Sequence, residues 1–490
     1  MSRKVKQPGR LIRKPPASGC QPSRRLSTAE IAHLGDDLIA YHRQFYTVLK
    51  RREQRSASML YLCGQLSQLE RKTIEPMVLA LQGPDPHAIR SVQQFIGQSP
   101  WSAPDAIKQH QRLVAESLGD SAGILIVDGS GFPKQGSNSA GVANQYCGHL
   151  GKLANCQEGV FAVYVTQHGY TFVDGRLYVP EHWFAAKHKE LRERCGIPAD
   201  LSFQTEPALA LQMVTDVRDN AVLPFRWVAA DEHFGQNPAF LDGIATLGKW
   251  YFAEVPSDTR VWLRTPAIEA PGQGPLGRPR IHPRLARNAP LARELRDIAA
   301  GLPRGAWQRY LIKEGSKGPL WAEFAFLRAT TVRDGLPGPR VWAVLRRSLG
   351  PVPELKFHLS NASLACERRD LAQMSGMPWE RALPARRRRS QGARWPIETS
   401  FEEAKGEVGM DHYETRSWVG WHHHMVQSFM AHLFLIRLRL RLKKSPGAHH
   451  RPSPSVGGLR AARRPATLKR YHRHHRVPSA PQSCRLPLTP

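Results

Sequence analysis

Two aspartates follow apolar runs that lie far apart in the chain. Asp128 follows the run Gly-Ile-Leu-Ile-Val that begins at Gly123, and Asp231 follows the run Phe-Arg-Trp-Val-Ala-Ala that begins at Phe225. Each run has the composition of a buried strand, and strands that end on aspartate deliver carboxylates to one rim of a sheet, where they can share divalent metal ions. The pattern predicts a metal-dependent site between two strands.

A third carboxylate is expected from a helix, and Glu398 is the candidate. Its segment has apolar residues at helical spacing, namely Ile397, Phe401, Ala404 and Val408. Arg394 precedes Glu398 by four residues and Lys405 follows it by seven, so the three project to roughly one side of a helix. Arginine can fork onto a phosphodiester and lysine supplies a point charge. The spacing favours Glu398 over Glu402, and it predicts that Glu403 faces elsewhere and can be replaced with little effect on cleavage.

Each of these acids also has a structural interpretation. Asp128 begins a Gly- and Ser-rich run that is typical of a β-turn leading to Lys134, and Asp231 is typical of a helix N-cap. Glu398 could lie on a solvated helix face. The repetition of an acid after two apolar strands favours the catalytic interpretation.

Three consecutive histidines, His422 to His424, suggest a metal site at first sight. Consecutive residues on a helix point in different directions, so they chelate poorly. The pattern therefore favours a helix surface or cations that face DNA. The neighbouring Trp418 and Trp421 are more typical of a core.

The composition indicates a basic protein with real hydrophobic cores. The 490 residues are 41% hydrophobic, and 70 Lys and Arg against 41 Asp and Glu give a formal net charge of +29. A polyanion is the expected partner of such a charge, which together with three acids indicates metal-dependent cutting of nucleic acid. No apolar run is long enough for a membrane span and no secretory signal is visible, so we expect a cytoplasmic protein without a membrane partner. The seven cysteines form no Cys-x-x-Cys pair and are expected to be free thiols.

The chain divides into segments of different composition. The arm and the tail at the two ends contain no acidic residue, and such basic, Pro-containing segments are expected to be disordered. The predicted segments are a disordered basic arm (1–27), a helical DNA-binding domain (28–118), the first part of the catalytic core (119–258), a β-rich insertion (259–385), the part of the core with the Glu398 helix and a C-terminal helix (386–442), and a disordered basic tail (443–490).

Five strands and two helices are predicted in the first part of the core. The strands are 122–128, 160–166, 171–179, 225–230 and 250–255, and the helices are 206–220 and 238–247. This order suits a mixed sheet in which the first and fourth strands lie side by side, which would bring Asp128 and Asp231 to one rim. Further strands are predicted at 308–313, 321–329 and 340–346.

Four motifs together resemble the DDE transposases of bacterial insertion sequences, in particular the family numbered 701, over roughly residues 30–440. They are Asp128-Gly-Ser-Gly-Phe-Pro-Lys-Gln-Gly, the run from Gly141 to Gln157, Ala230-Asp-Glu-His-Phe-Gly, and Arg394-Trp-Pro-Ile-Glu398 with Lys405. The resemblance implies an α/β fold with an RNase H-like catalytic core, built on a mixed five-stranded sheet with helices. It also implies that Asp128, Asp231 and Glu398 hold two Mg²⁺ (or Mn²⁺) ions, with no small-molecule cofactor.

The same resemblance implies a function and partners. The chain would bind the terminal inverted repeats of an insertion sequence and catalyse strand cleavage and strand transfer into target DNA, as a homodimer in a synaptic complex. It would act in the bacterial cytoplasm, associated with the nucleoid when bound to DNA. Phosphate contacts are expected from Lys134, Lys152, Arg394 and Lys405.

One position departs from the pattern of related transposases. They carry a Tyr-Arg-Glu-Lys signature, and here Gln391 stands in the tyrosine position. Two other functions share the fold: a domesticated DNA-binding regulator, which would have lost a catalytic acid, and a stand-alone nuclease, which would cut without strand transfer.

Overall fold

The computed structural model describes residues 28–148, 150–272, 280–315, 318–375 and 396–444. The predicted basic arm (1–27) lies outside the described residues. So do Gln391, Arg394 and the predicted tail beyond Lys444.

Thirteen α-helices are present in the described ranges. Several begin where the sequence offers a cap: the side chains of Asp85, Ser102 and Thr205 accept hydrogen bonds from backbone N–H groups of the first turn, and a proline follows in that turn. The helices are α1 (Thr28–Arg43), α2 (Arg52–Gln65), α3 (Ile74–Gln82), α4 (Pro86–Gly97), α5 (Ala103–Leu118), α6 (Lys189–Arg194), α7 (Glu206–Asn220), α8 (Glu232–Gly235), α9 (Pro238–Thr246), α10 (Leu295–Ala300), α11 (Arg368–Met374), α12 (Pro396–Val408) and α13 (Trp418–Lys444).

Fourteen strands accompany the helices in the same ranges. They are β1 (Ile124–Pro133), β2 (Ala143–Cys147), β3 (Lys152–Thr166), β4 (Gly169–Tyr178), β5 (Trp227–Ala230), β6 (Trp250–Val255), β7 (Arg260–Trp262), β8 (Ile268–Glu269), β9 (Arg284–Leu285), β10 (Arg293–Glu294), β11 (Gln308–Gly315), β12 (Gly318–Arg333), β13 (Leu336–Ser348) and β14 (Leu355–Ser360).

Five of the strands form the centre of a mixed sheet in the order β4-β3-β1-β5-β6. β1 pairs parallel with β5, with Val127 opposite Ala230, and β5 pairs parallel with β6. β3 pairs antiparallel with both β1 and β4. The predicted neighbourhood of the first and fourth strands is therefore confirmed. This α/β architecture fits an RNase H-like domain.

The sequence prediction for Asp128 was wrong in one respect, because β1 does not end there. Gly129 to Pro133 stay paired with β3, where they lie opposite residues 160 to 156. No turn leads from Asp128 to Lys134; instead β3 is long enough to extend β1 beyond the point where β5 stops. Asp128 marks the end of the parallel pairing only.

The strands after β6 extend the same sheet. β14 pairs antiparallel with β6, with Phe357 opposite Val255, and the sheet continues through β13, β12, β7 and β10, while β11 pairs with β12. The result is a twelve-stranded sheet within the described residues, beside a separate pair formed by β8 and β9. The strands expected near 308–346 correspond to β11, β12 and β13. The boundaries of the insertion stay a prediction.

Helix α13 packs both against β4 of the sheet and against the N-terminal helices α2, α4 and α5. Tyr41 donates a hydrogen bond from its hydroxyl to the carbonyl of Met430 (3.0 Å), and Gln65 Nε2 donates to Ser428 Oγ (2.9 Å). The buried apolar residues of residues 28–118 belong to the same hydrophobic cluster as those of the sheet. The described helices of this segment thus share a core with the sheet, and their predicted role in DNA binding stays a prediction. In the described parts of the chain, every helix is too short or too polar to cross a bilayer.

The burial of His423 and His424 contradicts the prediction that the three histidines lie on a helix surface or face DNA. His423 and His424 are buried on α13, and both contact carbonyl oxygens of other segments: His423 Nδ1 lies 3.0 Å from the carbonyl of Ile96, and His424 Nε2 lies 2.9 Å from that of Met410. Burial lowers the pKa of His424 to about 3 and that of His423 to about 4. These side chains join α13 to neighbouring segments and do not face DNA.

Gly235 allows α8, which follows Asp231, to pack closely on β6. A Cβ atom at Gly235 would stand 1.9 Å from the carbonyl oxygen of Glu254. We predict that Gly235→Ala lowers the free energy of unfolding by roughly 1–3 kcal/mol, because backbone must move to admit the methyl group. Chemical denaturation measures the change. The matched control is Gly97→Ala, a helical glycine with open space at its Cβ position, which should stabilise by up to about 1 kcal/mol. Equal effects of the two substitutions would contradict the packing argument.

Candidate active site

Asp128 and Asp231 lie at the end of the parallel pairing between β1 and β5. Because Val127 and Ala230 are register partners, the next residue on each strand is one of the two aspartates. Asp231 also caps α8, since its Oδ1 accepts a hydrogen bond from the backbone N–H of Phe234 (3.3 Å). Asp231 is therefore the N-cap of α8 and lies at the rim of the sheet at the same time.

The electrostatics of Asp128 show that three acids belong to one cluster. Burial raises the pKa of Asp128 to about 8, and the negative charges of Asp231 and Glu398 act in the same direction. The backbone N–H of Gly129, which donates to Asp128 Oδ1 at 2.8 Å, opposes the shift. Asp231 and Glu398 thus both lie within electrostatic reach of Asp128.

Glu398 lies in the first turn of α12, with its side chain exposed. Two helical turns later, Lys405 reaches across to β1, where its Nζ donates to Ser130 Oγ (2.9 Å). Its ammonium also lies 4.8 Å from the centre of the Phe132 ring. Burial lowers the pKa of Lys405, whereas nearby acids, Glu158 among them, raise it. The predicted pairing of Glu398 with Lys405 on one side of a helix is consistent with this placement beside β1.

Two further glutamates stand close to Asp128, and the sequence analysis missed both as site residues. A Cβ atom on Gly129 would lie 3.0 Å from Glu158 Oε1 and 3.7 Å from Glu206 Oε2, so both carboxylates sit over this glycine. Glu206 Oε2 also pairs with His233 Nε2 at 3.1 Å. Burial, followed by the charge of Glu206, raises the pKa of Glu158 to about 8.

A signal for Glu158 existed in the sequence. It is an acid within β3, a strand that is otherwise without acidic residues and is mostly buried from Cys156 onward. A charged residue in such a strand needs a compensating group, and Lys405 lies on α12 to supply one.

The other predicted phosphate contacts differ in their surroundings. The Lys134 ammonium donates to the carbonyl of Tyr413 (3.0 Å) and lies 3.3 Å from the centre of that ring, and burial lowers its pKa to about 8. The Lys134 ammonium therefore already has a partner inside the protein, the carbonyl of Tyr413. Its contact with phosphate stays a prediction. Lys152 is exposed at the start of β3. Arg394 lies outside the described residues.

The donor set suits a divalent cation such as Mg²⁺. Carboxylate oxygens are the ligands that Mg²⁺ prefers, and the pKa of Asp128 is raised first by burial and then by the negative charges of Asp231 and Glu398, which a bound cation would offset. In the described residues, however, no three His, Cys, Asp or Glu side chains are placed so that they could hold an ion. The chemistry of Asp128, Asp231 and Glu398 fits a metal, and binding would require these side chains to converge.

Glu403 occupies the opposite side of α12 and is mostly buried. Its Oε1 accepts hydrogen bonds from Arg439 Nη1 (2.8 Å) and from the Tyr170 hydroxyl (3.1 Å), and its Oε2 lies 3.5 Å from His432 Nε2. Burial alone would raise the pKa of Glu403, but His432 and Arg439 together lower it to about 2. Glu403 faces away from the acids as expected, and the little effect on cleavage expected of its replacement stays a prediction, whereas its contacts give it a structural role.

Two comparisons with known proteins bear on this site. The family described as DDE superfamily endonuclease matches residues 44–319, a span that contains Asp128 and Asp231. A protein from Microchaete diplosiphon, named as a probable transposase for insertion sequence element IS701, is 29% identical over 177 residues. That stretch is 36% of this chain and 41% of the relative, so the match spans less than half of the relative's length.

We predict that Glu403→Gln destabilises the fold, by roughly 1–3 kcal/mol, because Arg439 loses its charged partner inside the protein. Urea denaturation of Glu403→Gln and of Glu75→Gln, an exposed glutamate on α3, measures the difference, and Glu75→Gln should change stability by less than about 0.5 kcal/mol.

The pH dependence gives a second test of Glu403. Because its folded pKa is depressed from 4.5 to about 2, its contribution to stability is fully present above about pH 4.5 and falls as the pH approaches 2. The stability gap between wild type and Glu403→Gln should therefore narrow from pH 7 to pH 3.5. A gap that does not depend on pH would contradict the ionic account.

Proposed function

Because this chain belongs to the family of DDE superfamily endonucleases, we propose that it is the transposase of an insertion sequence. Family membership is consistent with the motif resemblance described above, and the relative named as a probable IS701 transposase supports the more specific assignment. The observation that carries the proposal is the register of β1 and β5, which places Asp128 beside Asp231, with Glu398 close enough to raise the pKa of Asp128.

The proposed cofactor is Mg²⁺, or Mn²⁺, as two ions held by Asp128, Asp231 and Glu398. When bound, such ions activate water or a 3′-hydroxyl for attack on a phosphodiester and stabilise the departing 3′ oxygen. The protein contributes the fixed positions of the first two carboxylates, because both follow directly on paired, buried strand residues.

Basic side chains would hold the scissile phosphate beside these acids. Lys405 on α12 already donates a hydrogen bond to Ser130, which lies on β1 two residues beyond Asp128, so its ammonium is positioned where a phosphate at the acid cluster would need a counter-charge. Arg394, four residues before Glu398, would add a forked contact. Binding of the DNA substrate would bring the phosphate to Lys405, whose ammonium is already held beside β1.

The wider DNA contacts follow from the charge of the chain. The net charge of +29 supports attraction to a polyanion, and we assign recognition of the terminal inverted repeats to the helical segment 28–118 and the insertion. Pairing of two transposon ends would require a homodimer on DNA. Cleavage followed by strand transfer separates this function from that of a stand-alone nuclease, and cleavage of any kind separates it from that of a regulator.

Asp128→Ala and Asp231→Ala should each lower Mg²⁺-dependent cleavage by roughly 10²–10³-fold, the range for loss of one group that stabilises the transition state electrostatically. DNA affinity should remain nearly unchanged, because the basic surface is intact. The substrate is a plasmid carrying the gene with its own flanking DNA, and Asp258→Ala, an exposed aspartate before β7, is the control. Full cleavage by either variant would refute the metal-site assignment.

Glu398→Gln should eliminate cleavage and strand transfer together, because it removes a ligand charge without removing bulk. Glu402→Gln should retain at least partial activity and Glu75→Gln, an exposed glutamate on α3, full activity. Single-turnover nicking and joining of labelled DNA ends measures both steps. If Glu398→Gln still cuts, the third acid lies elsewhere; if the wild-type protein cuts but never joins, it is a nuclease and not a transposase.

A further inference from the structure

The hairpin formed by β2 and the first half of β3 (residues 143–157) has two unlike faces. Cys147 and Cys156 point inward and are fully buried, whereas Tyr146 is 63% exposed and Leu153, its register partner, is 68% exposed. Leu150 in the turn is also exposed. Exposed aromatic and aliphatic side chains paired across a hairpin cost hydrophobic free energy unless they contact something.

The tip of this hairpin bends back over β1, close to the acid cluster. A Cβ atom on Gly131 would lie 2.7 Å from Cys147 Sγ and 3.3 Å from Cys147 Cα. Gly131 is three residues beyond Asp128 on β1, which at the rise of a strand is roughly 10 Å. The Cys147 end of the hairpin therefore lies against the β1 segment that follows Asp128, and Tyr146, adjacent to Cys147, is exposed on the outer face of the same hairpin.

The hairpin is held in this position by side-chain contacts at its base. Asn155 Nδ2 donates to the carbonyls of Lys134 and Gly136, both at 2.8 Å, and Gln145 Nε2 donates to the carbonyl of Cys156 (3.2 Å). The two Asn155 bonds connect the hairpin to the segment that follows β1, and the Gln145 bond joins the two strands of the hairpin. Tyr146 and Leu153 are thus exposed on a hairpin that hydrogen bonds hold in place.

The charge around the hairpin indicates what kind of partner it meets. Residues 129–157 contain no acidic side chain, and Lys152, which precedes Leu153 and is the register partner of Cys147, is exposed. A polyanion with flat apolar surfaces complements a hairpin that carries both an exposed aromatic ring and an exposed cation, and nucleic acid has both properties.

Building on the proposed function, we propose that the β2–β3 hairpin contacts the DNA end beside the scissile phosphate and that Tyr146 stacks on a base that is unpaired there. Leu153 supports the ring as its cross-strand neighbour, and Lys152 contacts the adjacent phosphate. The hairpin thereby distinguishes DNA with unpaired bases from a continuous duplex, because only an unpaired base offers a free face.

The test compares binding of the full chain to a fully paired duplex and to a forked duplex of the same sequence, in Ca²⁺ to prevent cleavage. Wild type should prefer the fork. Tyr146→Ala should weaken fork binding by about tenfold and leave duplex binding nearly unchanged, whereas Tyr146→Phe should bind like wild type because stacking needs only the ring. Fluorescence of 2-aminopurine in the unpaired arm should be quenched by wild type and by Tyr146→Phe, but not by Tyr146→Ala.

Two further substitutions separate stacking from charge and from general surface effects. Leu153→Ala should weaken fork binding, whereas Leu364→Ala, a matched leucine that is 71% exposed after β14, should not. Lys152→Ala should weaken binding to both DNAs and reduce the slope of log K against log salt by about 1.

The proposal is overturned if Tyr146→Ala binds the fork as tightly as wild type and quenches 2-aminopurine equally. It is also overturned if Tyr146→Ala instead dissociates a dimer in sedimentation experiments without loss of fork preference, because the hairpin would then contact a second copy of the chain. Fork binding needs no cleavage, so failure of this inference is distinguishable from failure of the proposed function, which the cleavage assay with wild type measures.

Discussion

The parallel pairing of β1 with β5 places two carboxylates side by side, and their repulsion has to be offset by the surrounding structure. The apolar partners Val127 and Ala230 fix the register, because both are almost fully buried and a slip of one residue would expose them. The Gly129 N–H donates to Asp128, and the N-terminus of α8 donates to Asp231. These contacts stabilise negative charge only in part, since the pKa of Asp128 stays raised. Additional positive charge beside Asp128 and Asp231 would therefore stabilise the acid cluster further.

Helix α12 is fixed in rotation by contacts on two sides. Lys405 bonds to Ser130 on β1, and Glu403, two residues earlier and about 160° away around the helix, bonds to Arg439 on α13. A helix held on opposite sides cannot rotate without breaking one of the two contacts. Because Glu398 precedes Lys405 by nearly two full turns, it lies on the Lys405 side. Burial of Glu403 therefore helps determine where the third acid points.

Much of the central fold was predictable from local patterns. The bounds of α7 agree with the predicted helix at 206–220, because Thr205 caps it and a proline follows in the first turn. The strands β5 and β6 were predictable as short apolar runs between polar segments. The parallel neighbours followed from the order of elements. The placement of Asp128 and Asp231 at one rim was thus accessible before any coordinates.

Other features depend on contacts between distant segments and could not be read locally. Gly129 to Pro133 have low strand propensity, and only pairing with β3 keeps them extended. The histidines of α13 look polar in the sequence, but His424 is buried because the carbonyl of Met410 and the hydroxyl of Tyr61 lie beside its ring nitrogens. Glu403 likewise looks like a solvated helix residue until α13 packs against it. In each case the deciding partner is far away in sequence.

The pairing of β14 with β6 has a consequence for the integrity of the whole molecule. Without β14, the β6 segment from Phe252 to Val255 would present unpaired N–H and C=O groups along a buried, apolar edge. Such an edge is a template for pairing with other chains and for aggregation. The strands between β6 and α12 therefore cover an edge of the sheet that could otherwise pair with other chains. A shortened chain that joined β6 directly to α12 would keep the sequence of all three acids and lose its protection against self-association.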